Sequence, residues 1–264
     1  MVIASRSLIY SRYTATDVAT VEKEVVREVA VTVYVNGMEL ITFLCTPHNL
    51  RYLALGFLYL EGIISGLDEV ALLRVCDEEE TIEARLTRDV EMPTRRVLTS
   101  GCGGGTTFAD LTAQANKIDS TLKVTPAQIL DLMRRLYREA ELYRTTGGVH
   151  TSALSDGQKL LVVASDVGRH NTLDKIQGQC LLEGIDTKDR VLLTTGRLSA
   201  EMLNKAAKMQ VPVLVSRTSP TDLAVELAKS WGITLIGYAR GEQIHVYSGE
   251  ERVELKETSL NPPQ

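Results

Sequence analysis

The spacing of apolar residues changes period twice along the chain. Residues 21–35, VEKEVVREVAVTVYV, and 39–45, ELITFLC, alternate at every second position, which predicts strands, and Asn36-Gly37 between them is a hairpin turn signal. In 48–64, HNLRYLALGFLYLEGII, the spacing becomes helical and ends at Gly62, so a short buried helix is expected, with short strands over 68–88 after it. From about residue 125 the chain alternates helix and strand. TPAQILDLMRRLYREAELY reads as an amphipathic helix with Thr125 as cap and Pro126 in its first turn. VHTSALSD and KLLVVASD form a hairpin around Asp156-Gly157. RVLLTT, VPVLVS and ITLIGYA are apolar strands separated by helices at about 171–184, 199–209 and 220–231, the pattern of parallel strands covered on both faces. Asn171, Ser199 and the run Ser219-Pro220-Thr221-Asp222 supply the helix caps. QIHVYSG closes the sheet, and ERVELKETSLNPPQ reads as a frayed tail. The expected organisation is an α+β domain over 1–92, a glycine-rich loop and linker over 93–124, and an α/β domain over 125–264.

Composition narrows the function classes. The 264 residues are 44% hydrophobic and 24% charged, enough for a real core in one or two domains. An aromatic share of 5% and a net charge of -5 argue against a general nucleic-acid binder. The amino-terminal stretch has no apolar h-region, and YLALGFLYL is too short to span a bilayer, so the expectation is a cytoplasmic protein with no membrane partner.

The four cysteines, Cys45, Cys76, Cys102 and Cys180, show no metal-knuckle or CxxC spacing. Cys45, Cys76 and Cys180 sit in strand-like or helix-like runs and read as packing residues. Cys102 differs, because TSGCGGGTTF surrounds it with glycines that have nothing to pack. Such a loop keeps a thiol bare for close approach by another molecule, and a flexible linker whose cysteine is incidental is the plainer alternative.

Four successive strand ends each carry an arginine: Arg169, Arg197, Arg217 and Arg240. Ligands of open α/β sheets bind beyond the carboxyl ends of the strands, and guanidinium forks suit phosphate oxygens. Together they outline a site for a polyanionic small molecule. Solvated surface arginines, or ion pairs with Asp166, Asp174 and Glu201, are the plainer alternative. His150, at a strand entrance, and His170, beside Arg169, add two imidazoles near that rim.

The strings LALGFLYLEGII, TSGCGG, GGVHTSAL, SDVGRHNTLDK, TGRLSAEMLNKAA, PVLVSRTSPTDLAVELA and GITLIGYARGEQIHVYSG occur in order over about residues 20–250. They resemble the formate dehydrogenase accessory sulfurtransferase family, FdhD/NarQ. The resemblance implies a cytidine deaminase-like three-layer α/β/α main domain, a smaller amino-terminal α+β domain, and a homodimer. It also implies a protein that takes sulfur from a cysteine desulfurase and passes it to molybdenum bis(molybdopterin guanine dinucleotide), the cofactor of formate dehydrogenase. That cofactor is cargo, and no metal is expected to bind the protein directly. By similarity Cys102 matches the persulfide-carrying cysteine, and Tyr238, Ala239, Arg240, Gly241, Glu242 and Gln243 match the cofactor-binding stretch. Arg169, His170, Arg197 and Arg217 would join them at the rim, Asp166 or Ser216 would read a guanine edge, and Arg95 or Arg96 would lower the thiol pKa.

The family pattern commonly reads CGxC, and here the fourth place is Gly105. A vicinal thiol that could expel the outer sulfur as sulfide is therefore missing locally. Three other readings stay open or are removed on sequence. A zinc deaminase would need HxE and PCxxC strings, and neither occurs. A Cys-His hydrolase using Cys102 with His150 or His170 fits the residue inventory. A chaperone that binds the dinucleotide without moving sulfur fits the rim but leaves Cys102 without a task.

Overall fold

The computed structural model describes residues 3–76, 80–90, 97–98, 106–107 and 117–255. The chain opens with an antiparallel ribbon, β1 (Ser5–Tyr13) paired with β2 (Val18–Val26). This corrects the single strand expected over 21–35. At Arg27 and Glu28 the chain changes partner: the Arg27 amide donates to the Ala4 carbonyl, while Val29 begins β3 (Val29–Val35) and pairs with Cys45. β1 carried no sequence signal because almost every residue in it is exposed, leaving no buried side for alternation to reveal.

β3 and β4 (Met38–Cys45) form the expected hairpin, with Asn36 and Gly37 at φ 49° and 82°, as a two-residue turn of matching twist requires. After β4 come α1 (Leu50–Leu60), β5 (Val70–Cys76) and β6 (Thr81–Leu86), giving a sheet of order β4-β3-β6-β5 in which only β3 and β6 run parallel. Val31, Val33, Val35 and Ile82 pack from the sheet onto Leu53, Phe57 and Leu58 of α1. α1 is buried nearly all round, which means it has a second partner. Its Gly62, at φ 75°, ends the helical turn. A two-residue pair, β7 (Val97–Leu98) with β8 (Thr106–Thr107), follows.

The larger sheet is built from β9 (His150–Ser155), β10 (Leu160–Asp166), β11 (Val191–Thr194), β12 (Val213–Ser216), β13 (Thr234–Arg240) and β14 (Gln243–Ser248), in the order β10-β9-β11-β12-β13-β14. β11, β12 and β13 are mutually parallel, and β9 and β14 run against their neighbours. One face carries α2 (Pro126–Glu139), whose Ile129, Leu132 and Leu136 pack on Ala153, Leu193, Val215 and Ile236. A short α3 (Glu141–Thr146) leads from α2 to β9. The other face carries α4 (Arg169–Glu183), α5 (Ala200–Lys208) and α6 (Asp222–Trp231), packed on Leu154, Leu192, Leu214 and Leu235. Adjacent residues Leu192 and Leu193 thus serve opposite faces, the two-residue period of a sheet covered on both sides.

Three local expectations need correction. Thr125 and Gln128 form a capping box at α2 as the sequence suggests, and Ser199 caps α5. Asn171, however, does not cap α4; Gly168 holds that position while the Asn171 side chain bonds Asp166 and the Leu44 carbonyl. The cap of α6 is Thr221, not Ser219, because Pro220 is held in a bridge to Leu198 just before the helix starts. Residues 251–255 of the expected frayed tail belong to the fold: Val253 bridges Val124, and Arg252 is buried. Among the described residues no helix is long and apolar enough to cross a membrane.

Candidate functional site

Because β10 and β11 both run antiparallel to β9, β10 points the same way as β11, β12 and β13, and their carboxyl ends share one edge of the sheet. The four arginines therefore lie along that edge, but burial sorts them. Arg217 and Arg240 are exposed and line a cleft of about 760 Å³ together with His150, Thr195 and Thr218. They also border a smaller, more apolar slot of about 410 Å³ against Met133 and Tyr137 of α2. Arg197 is exposed at the same edge and lines neither cavity. Arg169 is only 6% exposed and lies inside, where a β-carbon on Gly196 would come within 2.9 Å of its Cβ and 3.5 Å of His150 Nδ1.

Each of the two cleft arginines lies against a ring. Arg217 sits 5.8 Å from the Tyr137 ring centre and Arg240 5.4 Å from that of Tyr238. Among the described residues no carboxylate lies within ion-pair distance of either guanidinium, so both offer their donors to a ligand. The acidic partners anticipated for the rim are committed elsewhere: Asp166 holds Lys175 at 2.6 Å and Asp174 holds Lys205 at 2.6 Å.

The segment Tyr238–Gln243 is shaped by a bulge. Tyr238 has φ 50°, an uncommon left-handed conformation for a tyrosine, and its amide donates to the Thr218 carbonyl at 3.0 Å, tying β13 to the loop after β12. This shift puts Ala239 in the core against α2, 1% exposed. Gly241, φ 62°, makes the tight turn in which Arg240 pairs with Gln243, and Glu242 and Gln243 are exposed at its tip. The arginine and the turn are accessible to a ligand; the alanine serves packing.

His170 lines neither cavity. It is 6% exposed on α4, with Nε2 3.3 Å from Ser199 Oγ and 3.2 Å from Glu201 Oε2 on α5. Burial, reinforced by Lys205 and Arg169, pushes its pKa down to about 2, so it is a neutral structural group that steadies the start of α4. Burial also lowers the pKa of His150, with Arg169 adding to the effect.

Asp166 and Ser216 cannot read a base. Asp166 is fully buried and accepts from the Gly168 and Thr46 amides and the Asn171 amide group while pairing with Lys175. Ser216 is equally buried, donating to the Gly196 carbonyl and accepting from the Thr218 amide. Both hold the loops that present the arginines.

Cys45 and Cys180 are buried, and burial pushes each thiol up to about 12, so neither carries appreciable thiolate at neutral pH. Cys76 is half-buried at the end of β5. Cys102, Gly105, Arg95 and Arg96 lie outside the described residues. Sequence reading missed the contribution of α2, although Arg134, Tyr137 and Arg138, all at the apolar slot, share one helical face by their i, i+3, i+4 spacing.

The model of the FdhD/NarQ family matches residues 26–254, which spans both sheets and the whole arginine edge. The chain belongs to the FdhD/NarQ family. Among its relatives, the sulfur carrier protein FdhD of Bacillus subtilis (strain 168) is 36% identical over 249 residues, covering 92% of this chain and 95% of that protein. The sulfur carrier protein FdhD of Staphylococcus aureus (strain MRSA252) is 39% identical over 234 residues, covering 86% and 88%. A crystal structure of a protein from Desulfotalea psychrophila, provisionally described as a formate dehydrogenase accessory protein, superposes with a TM-score of 0.79 at 27% identity, over 96% of this chain and all of that one. FdhD/NarQ membership thus rests on sequence and fold together.

Proposed function

We propose that this FdhD/NarQ protein is a sulfur carrier in the maturation of formate dehydrogenase, acting as a cytoplasmic homodimer with a cytidine deaminase-like main domain. The observation that carries the reading is the similarity, over 92% of the chain, to a relative named as a sulfur carrier. The arginine-lined cleft at the strand ends supports it by matching a phosphate-bearing cargo.

In this reading the Cys102 thiolate attacks the outer sulfur of a persulfide on a cysteine desulfurase, the desulfurase thiolate leaves, and Cys102 keeps the sulfur as its own persulfide. The cargo is molybdenum bis(molybdopterin guanine dinucleotide). Arg217 and Arg240 hold its phosphates, the Gly241–Gln243 turn supplies backbone and side-chain hydrogen bonds, and Arg197 extends the positive edge. Arg169 and His170 act from beneath by fixing the loop after β10. Releasing the sulfur at the sulfide level takes two electrons, and with Gly105 in place of a second cysteine they come from the cargo or an external reductant.

The test is complementation in a host whose own family member is deleted. Wild-type protein restores formate dehydrogenase activity, and Cys102→Ser, produced at equal level, does not. Full activity with Cys102→Ser would leave a binding role without sulfur transfer.

A further inference from the structure

The 760 Å³ cleft is lined both by residues of the arginine edge and by the amino-terminal part of the chain, which contributes Val26 and Glu28. Among the described residues that line it, Glu28 is the one carboxylate. It is exposed and lies in the two-residue step where the chain leaves β2 for β3. The step is fixed on both sides: the Arg27 amide donates to the Ala4 carbonyl at 2.9 Å, and Val26 packs so closely on Gly148 that a β-carbon there would come within 2.9 Å of Val26 Cγ1. Tyr143 of α3, half-buried, lines the same cleft.

A carboxylate in the same cleft as a phosphate site raises the cost of binding a simple anion. It becomes favourable when the ligand carries donors as well as phosphates. The Watson–Crick edge of guanine presents N1–H and N2–H side by side, two parallel donors that a carboxylate accepts in bidentate fashion. Adenine places an acceptor at N1, which would set a lone pair against the carboxylate and so penalise the wrong base. A tyrosine face in the same cleft suits the purine ring itself.

We propose that Glu28 is the residue that selects guanine, accepting from N1–H and N2–H while Arg217 and Arg240 hold the phosphates and Tyr143 flanks the base. This rests on the nucleotide cargo proposed above. The carboxylate and the cations come from different parts of the chain, so the base and the phosphates are read by separate elements that close on one cleft.

The experiment is calorimetry of the full chain with GDP, IDP and ADP, for wild type, Glu28→Gln and Glu28→Ala, with thermal melts to show that the variants are folded. IDP lacks the N2 amine. Wild type is expected to prefer GDP over both others by about tenfold or more, the effect of losing one charged hydrogen bond. Glu28→Ala should lose that factor for GDP, keep its affinity for ADP, and no longer distinguish GDP from IDP; Glu28→Gln should fall between. An unchanged GDP preference in folded Glu28→Ala overturns the assignment of Glu28 and leaves the cargo reading standing. Wild type that binds none of the three overturns both.

Discussion

Gly56 of α1 lies directly against the backbone of Asp174 on α4: a β-carbon at Gly56 would sit 1.8 Å from the Asp174 carbonyl oxygen. The contact is reciprocal, since a β-carbon at Gly178 would sit 1.9 Å from the Tyr52 carbonyl oxygen. The helix covering the small sheet is thereby packed backbone to backbone on the helix that begins at the arginine edge. Nothing in that contact is a flexible side chain able to move aside. Gly56→Ala or Gly178→Ala should therefore destabilise by about 1–3 kcal/mol, toward the upper end for a clash with main chain. Chemical denaturation checks this, and a variant as stable as wild type would mean that the helices separate without cost.

His170 sets part of the acid limit of stability. Unfolded, it takes up a proton near its ordinary value of 6.5, whereas burial first, with Lys205 and Arg169, keeps the folded ring neutral down to about 2. Its folded pKa is lowered, so its contribution is fully present above 6.5 and is lost as pH falls below it. The loss is about 1.4 kcal/mol per pH unit at most. Urea midpoints between pH 7.5 and 5 should fall less steeply for His170→Gln than for wild type. Equal slopes would show that the folded protein takes up the same proton.

The two arginines that line the cleft should dominate cargo affinity. Arg217→Ala or Arg240→Ala should weaken GDP binding by about 1.5–3 kcal/mol for each charged hydrogen bond lost. Arg135→Ala should not, because Arg135 is bound to Asp131 at 2.7 Å on α2 and lines neither cavity. Arg169→Ala acts through loop structure, so its melting temperature should fall as well. Calorimetry showing unchanged affinity in both Arg217→Ala and Arg240→Ala would place the phosphates elsewhere.

The sequence made most of the larger sheet legible, since its strands are apolar runs between capped helices, and the shared edge of the four arginines follows from strand direction alone. What it could not show is which of them face outward. α4 is the reason. Its Arg169, His170, Asn171, Asp174 and Lys175 look like a solvated face but are buried, and Asn171, Asp174 and Lys175 bond to Asp166, Lys205 and Thr46. Polar residues satisfied by distant partners leave no periodicity to read. The same holds for Glu28, whose place in the cleft depends on a change of strand partner at Arg27 that the alternating run VEKEVVREVAVTVYV conceals.

The central claim is that Cys102 carries sulfur, and intact mass spectrometry after incubation with a cysteine desulfurase and cysteine tests it most directly. The expected result is a gain of one sulfur atom per chain, mapped by peptide analysis to Cys102, removed by reductant and absent from Cys102→Ser. The buried thiols of Cys45 and Cys180 should stay unmodified. Sulfur found equally on Cys45, Cys76 or Cys180, or no sulfur on Cys102 while the desulfurase turns over, would contradict the account.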